Sequence, residues 1–135
     1  GAKRNSERMK VSGVRDLRSA RIDVDFGYPH QRQGTLERFN SLICDAGQFR
    51  CYCAAIMGLC SVACGETDAY MANETQPWDS AAGALLVEEA GGRVTTVSGE
   101  PLNLVCGKNS ILVSNGHVHD AVLAMIDQPA ASRAD

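Results

Sequence analysis

The chain has 135 residues and a formal net charge of −3, which predicts a single domain large enough to bury a hydrophobic core. No apolar run is as long as a membrane span and no segment has the order of a secretory signal, so we expect a cytoplasmic protein without a membrane partner. Residues 1–50 carry most of the basic side chains with few aromatic residues among them, which favours a solvated face over a phosphate-binding one and argues against nucleic-acid binding.

Periodicity in the first half of the chain indicates short strands before the first helix. In chain order, the pattern predicts a turn at residues 1–6, strands at 8–12 and 19–26, a polar loop at 27–34 and a helix at 35–45 capped by Thr35. In the strand at 19–26, the residues Ala20, Ile22, Val24 and Phe26 lie on one face, which is expected to face the core.

The second half of the chain alternates helices with strands. The pattern predicts a strand at 49–53, a fully buried helix at 54–64 ended by Gly65, a strand at 68–72, a polar loop at 73–77, a helix at 78–92, strands at 93–97 and 111–113, and a helix at 117–126. This order predicts an α/β fold with a mixed, largely parallel sheet flanked by helices. We expect one domain over 1–127 and a disordered tail at 128–135.

The most regular of these patterns is the helix at 78–92, which reads W-D-S-A-A-G-A-L-L-V-E-E-A-G-G. Its apolar stripe is expected to consist of Trp78, Ala81, Ala82, Leu85, Leu86 and Ala90. Gly91 and Gly92 supply the left-handed end of the helix. The small residues at 81–84 are expected to let another backbone approach closely.

Six cysteines raise the question of disulfides or a metal cluster. Without an export signal they are expected to be reduced, and their apolar surroundings predict buried thiols. The C-x-C pair at 51–53 and the pair at 60–64 lack the spacing of zinc knuckles, so a structural role is favoured over a metal or redox site. His117 and His119 are too isolated for a site and are expected to be exposed.

Two features of the sequence could hold a phosphate and a metal ion. The turn Cys53-Ala54-Ala55 lies between a strand and a helix, where backbone N–H groups form a generic anion site. Asp79, in the first turn of the central helix, is either a plain helix cap or an oxygen ligand for a hard cation. The residues alone favour the helix cap, and a phosphate on the N–H groups would reconcile a cation with the helix dipole.

The segment P-W-D-S-A-A-G-A-L-L-V-E-E-A-G-G-R-V at 77–94 resembles the C-terminal signature of the inositol monophosphatase family, which are metal-dependent, lithium-sensitive phosphatases. The segments G-A-x-x-N at 1–5 and M-x-V-S at 9–12, together with residues 50–68 and 111–115, resemble other parts of the family, so the resemblance covers nearly the whole chain. It implies that 1–127 forms the C-terminal, substrate-side half of a layered αβαβα phosphatase fold, which is a homodimer when complete.

The resemblance also implies roles for individual residues. Asp79 would complete a magnesium site and approach the substrate, a small phosphorylated metabolite hydrolysed by metal-activated water. The main chain of Cys53, Ala54 and Ala55 would contact the substrate, with Cys53 at a position where the family has glycine. Ala72 falls where inositol-specific members have a glutamate, so inositol phosphate, histidinol phosphate, sugar phosphates and phosphoadenosine-type nucleotides stay open as substrates.

The family's D-P-x-D-G-T segment, which supplies most of its metal ligands, does not occur in this sequence. Since magnesium is held weakly by so few protein ligands, we expect the chain alone to be inactive and to need an N-terminal half in cis or in trans. The alternative is a non-catalytic remnant, or a dimerisation or interaction module, that keeps the fold without the chemistry.

Overall fold

The computed structural model of the protein describes residues 1–105 and 107–126. Cys106, the predicted tail at 128–135 and the predicted domain end at residue 127 therefore lie outside the described residues. The chain starts with an antiparallel hairpin of two short strands, β1 (Lys3–Arg4) and β2 (Glu7–Arg8). Its turn is made by Asn5 and Ser6, whose φ angles of 49° and 71° are those of a tight hairpin turn.

A five-stranded mixed sheet forms the middle of the fold. Its strands are β3 (Arg21–Asp25), β4 (Gln48–Arg50), β5 (Ala69–Thr75), β6 (Arg93–Thr95) and β7 (Asn109–Ser114), in the spatial order β4-β3-β5-β7-β6. β3 pairs in parallel with β4 and β5, whereas β7 pairs antiparallel with β5 and β6. The predicted mixed sheet is confirmed. Only two of its four strand pairings are parallel, whereas a largely parallel sheet was expected.

Within the described residues, four α-helices cover the two faces of this sheet. They are α1 (Arg32–Asp45), α2 (Ala55–Ala63), α3 (Pro77–Glu89) and α4 (His119–Met125). α1 and α4 pack on one face, where Phe39 and Val122 enter a shared core. α2 and α3 pack on the other face through Leu59 and Val87. The predicted α/β class with helices on the sheet is therefore confirmed.

Strand alternation sends neighbouring residues of β5 into different cores. Ala69 and Met71 join the core beneath α1 and α4, whereas Tyr70 and Ala72 join the core beneath α2 and α3. The predicted apolar face of β3 lies in the first of these cores, which confirms that strand and the direction of its side chains.

Several predicted boundaries were wrong. The strand expected at 8–12 ends at Arg8, and residues 9–12 form no regular secondary structure. α1 begins before the predicted cap, so Thr35 lies inside the helix and its hydroxyl donates to the Gln31 carbonyl at 3.1 Å. β5 runs through most of the predicted loop at 73–77, because pairing with β7 holds it extended as far as Thr75.

The helices α2 and α3 expose apolar side chains that were expected to be buried. α2 is not buried all round, because Ile56 and Met57 are exposed. In α3 the predicted stripe is wrong at Trp78, which is 77% exposed, and at Leu85, which is 58% exposed, whereas Leu86 and Ala90 do contact the core as predicted. The buried face of α3 consists instead of Ser80, Gly83, Ala84 and Val87.

Close contact between α2 and α3 explains which face of α3 is buried. A Cβ added to Gly83 would lie 2.6 Å from the Cβ of Leu59 in α2, so only glycine permits this approach. The predicted close approach at the small residues is thus confirmed at Gly83. The helix ends as expected at Gly91, whose φ of +88° is easily adopted only by glycine.

His119 was wrongly expected to be exposed. It is fully buried, with Nε2 2.9 Å from the Thr95 hydroxyl and Nδ1 2.9 Å from the Ser114 hydroxyl. Burial, with a contribution from Arg93, lowers the pKa of His119 to about 4. The neutral ring therefore fastens the start of α4 to β6 and β7, while His117 is exposed as predicted.

Candidate functional site

An open groove of about 810 Å³ lies at one edge of the sheet. The parallel strands β3 and β5 both end at this edge, and α2 and α3 both begin there. In α/β folds ligands bind at the carboxyl ends of strands, because loops and helix N-termini converge there. The groove brings together four of the five site residues predicted from the sequence, namely Cys53, Ala54, Ala55 and Asp79.

The turn before α2 presents unpaired backbone N–H groups to the groove. In the described part of the chain, no side chain caps the first turn of α2, and Ala54 occupies the capping position. The N–H groups at the start of a helix have no intrahelical partner, and the helix dipole favours an anion beside them. The uncapped start of α2 therefore lies in the groove, at the turn where the anion site was predicted.

Cys53 has a backbone conformation that favours glycine. Its φ of 55° lies in the left-handed region, where a side chain costs roughly 1–2 kcal/mol. The turn before α2 is therefore locally strained at Cys53.

Replacing Cys53 with glycine is expected to stabilise the chain by about 0.5–1 kcal/mol, because the relief of strain exceeds the entropy that glycine loses on folding. Urea unfolding of Cys53→Gly against the parent chain measures this. Cys51→Gly is the matched control, since Cys51 has no positive φ and should lose stability instead. A loss of stability in Cys53→Gly would contradict the claim that the backbone at Cys53 is strained.

Asp79 stands at the start of α3 without a structural partner. It lies in the first turn behind Pro77 and Trp78, while Gln76 occupies the capping position. Within the described residues its exposed carboxylate makes no hydrogen bond or ion pair, so it does not cap the helix. An unpaired carboxylate beside two helix N-termini can take a cation while the N–H groups take an anion.

The outer rim of the groove is a polar network that the sequence reasoning missed. Glu74, at the end of β5, accepts hydrogen bonds from Lys108 at 2.8 Å and from Gln31 at 2.7 Å. Gln31 in turn accepts the Tyr28 N–H at 2.8 Å, which ties the loop after β3 to the rim. The bond from the Lys108 ammonium lowers the pKa of Glu74. The signal in the sequence was a carboxylate two residues beyond the predicted strand at 68–72.

Ala72 does not line the groove. It is 2% exposed and belongs to the core beneath α2 and α3, although its neighbour across the sheet, Asp25, does reach the groove. Among the carboxylates of the groove, Asp25 lies directly across the sheet from the predicted specificity position and Glu74 lies on the same strand.

A buried carboxylate lies beneath the turn before α2. Asp23 is 1% exposed on β3, and its Oδ1 accepts the Tyr52 N–H at 3.3 Å. Its Oδ2 and the hydroxyl of the neighbouring Tyr70 are buried without a hydrogen-bond partner. Burial, with a smaller contribution from Asp25, raises the pKa of Asp23 to about 6. Asp23 thus holds the turn through its bond to Tyr52, and burial of its charge costs folding free energy.

The substitution Asp23→Asn is expected to stabilise the chain at pH 7 by about 2 kcal/mol. Because the folded-state pKa lies above the unfolded value, the parent chain takes up a proton on folding and gains stability as the pH falls from about 6 towards 4. The amide keeps the bond from Tyr52 but carries no charge, so the variant should lose this pH dependence. Urea unfolding between pH 4 and 8 measures both effects.

Asp25→Asn is the matched control, since Asp25 lies on the same face of β3 and is only half-buried. It should change stability by less than about 1 kcal/mol. If Asp23→Asn were destabilising at pH 7, the charge of Asp23 would be needed for the fold and the interpretation would be wrong.

The described residues do not complete a metal centre. Among them, no group of three His, Cys, Asp or Glu side chains is placed to hold a metal ion. The same part of the chain contains no helix with the length and apolar character needed to cross a bilayer.

A model of the inositol monophosphatase family matches residues 1–130. The chain belongs to the inositol monophosphatase family. The match confirms the resemblance first seen around Asp79, and it extends across both helices that border the groove.

Individual relatives agree with this assignment. The chain is 35% identical over 128 residues to the chloroplastic phosphatase IMPL1 of Arabidopsis thaliana, a match that covers 93% of this chain and 34% of that protein. It superposes on the inositol monophosphatase of Anabaena (Nostoc) sp. PCC 7120 with a TM-score of 0.85 and 32% identity, covering 98% of this chain and 53% of that one.

Two structures of SaIMPase-II, one with inositol monophosphate bound and one with 2′AMP bound, each superpose with a TM-score of 0.81 and 33% identity. These alignments cover 92% of this chain and 48% and 47% of theirs. The chain therefore spans about half the length, or less, of the relatives that it matches.

Proposed function

We propose that this chain supplies the substrate-side half of a magnesium-dependent phosphomonoesterase. The observation that carries the proposal is Asp79, an unpartnered carboxylate that lines the same groove as the uncapped start of α2. The phosphate of a substrate would accept hydrogen bonds from the N–H groups of Ala55 and its neighbours, and Asp79 would hold magnesium beside it.

Magnesium fits the oxygen chemistry of Asp79 but needs more ligands than the described residues provide. When bound, the ion would activate a water molecule and stabilise the leaving oxygen of the phosphomonoester. The chain's own contribution is to hold the phosphate at the start of α2, to orient it through the fixed turn at 53–55, and to present one carboxylate.

The remaining ligands are proposed to come from a second half, in cis or in trans, so that the chain alone is inactive. The exposed apolar side chains of α2 and α3, Ile56, Met57, Trp78 and Leu85, support this because they are the surface that such a half would cover. A complete protein is proposed to form a homodimer in the cytoplasm.

The substrate is proposed to be a small phosphorylated metabolite. SaIMPase-II has been crystallised with inositol monophosphate and with 2′AMP, which supports a ring with hydroxyl groups beside the phosphate. In this chain Asp25 and Glu74 are the carboxylates available to such hydroxyls, because Ala72 has no hydrogen-bonding side chain.

Release of orthophosphate tests the proposal. The chain would be mixed with the part of the Anabaena protein that it does not match, and inositol monophosphate and 2′AMP would be supplied with and without magnesium. We expect magnesium-dependent turnover from the mixture and none from the chain alone. The Anabaena protein divided at the same point is the positive control for assembly.

Turnover in the positive control without turnover in the hybrid would contradict the proposal and favour the alternative, an interaction module that keeps the fold. Turnover by the isolated chain would contradict the need for a second half.

A further inference from the structure

Two cysteines that were expected to be buried lie exposed together beside the groove. Cys51 and Cys53 are both free and exposed, and their Sγ atoms are 3.4 Å apart. The S–S bond of a disulfide is about 2.05 Å long, so the two sulfur atoms would have to approach each other by only about 1.3 Å to form one. Cys53 also lines the groove, which places this pair at the proposed phosphate turn.

We propose that Cys51 and Cys53 form a reversible dithiol–disulfide site that reshapes the start of α2. The disulfide chemistry depends only on the two thiols, whereas its effect on phosphate rests on the proposed function. The exposure of both thiols contradicts the expectation that this C-x-C pair is buried.

The co-reactant of the site is a low-molecular-weight disulfide such as oxidised glutathione. The thiolate of one cysteine attacks a glutathione sulfur, which forms a mixed disulfide and releases one glutathione thiolate. The thiolate of the other cysteine then attacks the protein sulfur of that bond, which forms the Sγ–Sγ bond and releases the second glutathione. The protein loses two electrons and two protons, and oxidised glutathione is reduced to two molecules of glutathione.

The surrounding backbone makes the bond consequential for the shape of the turn. Cys53 is held at a φ of 55°, and the intervening Tyr52 is tied to Asp23 through its N–H at 3.3 Å. A bridge across a single intervening residue closes a short ring, so the peptide groups at 51–53 must turn to accommodate it. Exposed or strained disulfides are readily reduced, which predicts reversal by reduced glutathione.

Mass spectrometry tests the chemistry. After incubation of the full chain with oxidised glutathione, we expect the loss of two hydrogen atoms from a peptide that contains both Cys51 and Cys53. In Cys51→Ser and in Cys53→Ser the remaining thiol should instead keep a glutathione adduct. Cys60→Ser is the matched control and should still form the bond. Separate glutathione adducts on Cys51 and Cys53 at every glutathione ratio would overturn the proposal.

Amide chemical shifts test the effect on the turn. Oxidation should move the amide signals of residues 53–56 in the parent chain and leave them unchanged in the double variant Cys51→Ser/Cys53→Ser, which has neither thiol. The dissociation constant for orthophosphate should rise about 10-fold, which corresponds to the loss of one charge-assisted hydrogen bond. Unchanged amides after complete oxidation would overturn the reshaping of α2. A disulfide that moves these amides in a chain that binds no orthophosphate supports this site and counts against the proposed function alone.

Discussion

Replacing Asp79 with asparagine is expected to lower magnesium-dependent phosphate release by the assembled protein about 100-fold or more. The carboxylate is exposed in the groove and has no partner within the described residues, so its replacement removes a metal ligand and no structural contact. Asparagine has nearly the same shape but lacks the charge that magnesium requires. Stability should therefore change by less than about 0.5 kcal/mol. Initial rates over a magnesium titration, together with urea unfolding of the chain, measure both quantities.

Glu88→Gln is the matched control, because Glu88 is an exposed carboxylate of the same helix that does not line the groove. It should leave phosphate release and its magnesium dependence unchanged. An equal loss in both variants would indicate a general effect of charge. Full activity in Asp79→Asn would contradict the assignment of Asp79 to the metal and would leave family membership unaffected.

The substitution Gly58→Ala is expected to destabilise the chain by about 3 kcal/mol, even though alanine favours helix more than glycine does. A Cβ on Gly58 would lie 2.2 Å from the Tyr70 ring and 2.7 Å from the Asp23 carboxylate, both of which are buried. Neither group can move aside, because Tyr70 and Asp23 lie side by side on paired strands. α2 would have to lift away from the sheet, and urea unfolding measures the cost.

Gly34→Ala provides the control for the intrinsic preference of the helix. Gly34 lies within α1, and a Cβ added there would meet no atom within 4 Å. This variant should gain about 0.5–1 kcal/mol, so the two glycine substitutions are expected to have opposite signs. A stabilised Gly58→Ala variant would show that α2 lies farther from Tyr70 than the structure places it.

Much of the element order was predictable because it depends on short-range patterns. Gly65 and Gly91 end their helices with φ angles of +72° and +88°, a conformation that local sterics reserve largely for glycine. The strand β3 was recognised from alternation, since residues two apart share a face whatever packs upon it. The motif around Asp79 likewise led to the family that the comparison confirmed.

The failures share a different cause. Trp78 and Leu85 fit a helical stripe as well as Val87 does. They are exposed because α2 packs against the side of α3 that carries Gly83, where the two helices can approach most closely. His119 looked exposed because its partners, Thr95 and Ser114, lie on other strands. Side-chain burial is decided by which elements meet, and periodicity within one element does not contain that information.

The residues in and beneath the groove also divide into those predicted from local sequence and those that only tertiary contacts reveal. Asp79 and the turn at 53–55 were found from the sequence because each lies at a helix start with a recognisable motif. Glu74, Lys108 and Asp23 were not found, because their roles arise from contacts between segments far apart in the chain.

The sequence by itself determined the α/β class, the order of most elements, the family and one carboxylate of the proposed site. These follow from local sterics, from hydrophobic periodicity and from a long motif. Tertiary structure alone decided that Cys51 and Cys53 meet at the surface, that Asp23 is buried beneath them, and that Asp79 faces the groove without a partner. Such outcomes depend on how helices and strands pack, since packing sets which polar groups lose water and which stay available to a ligand.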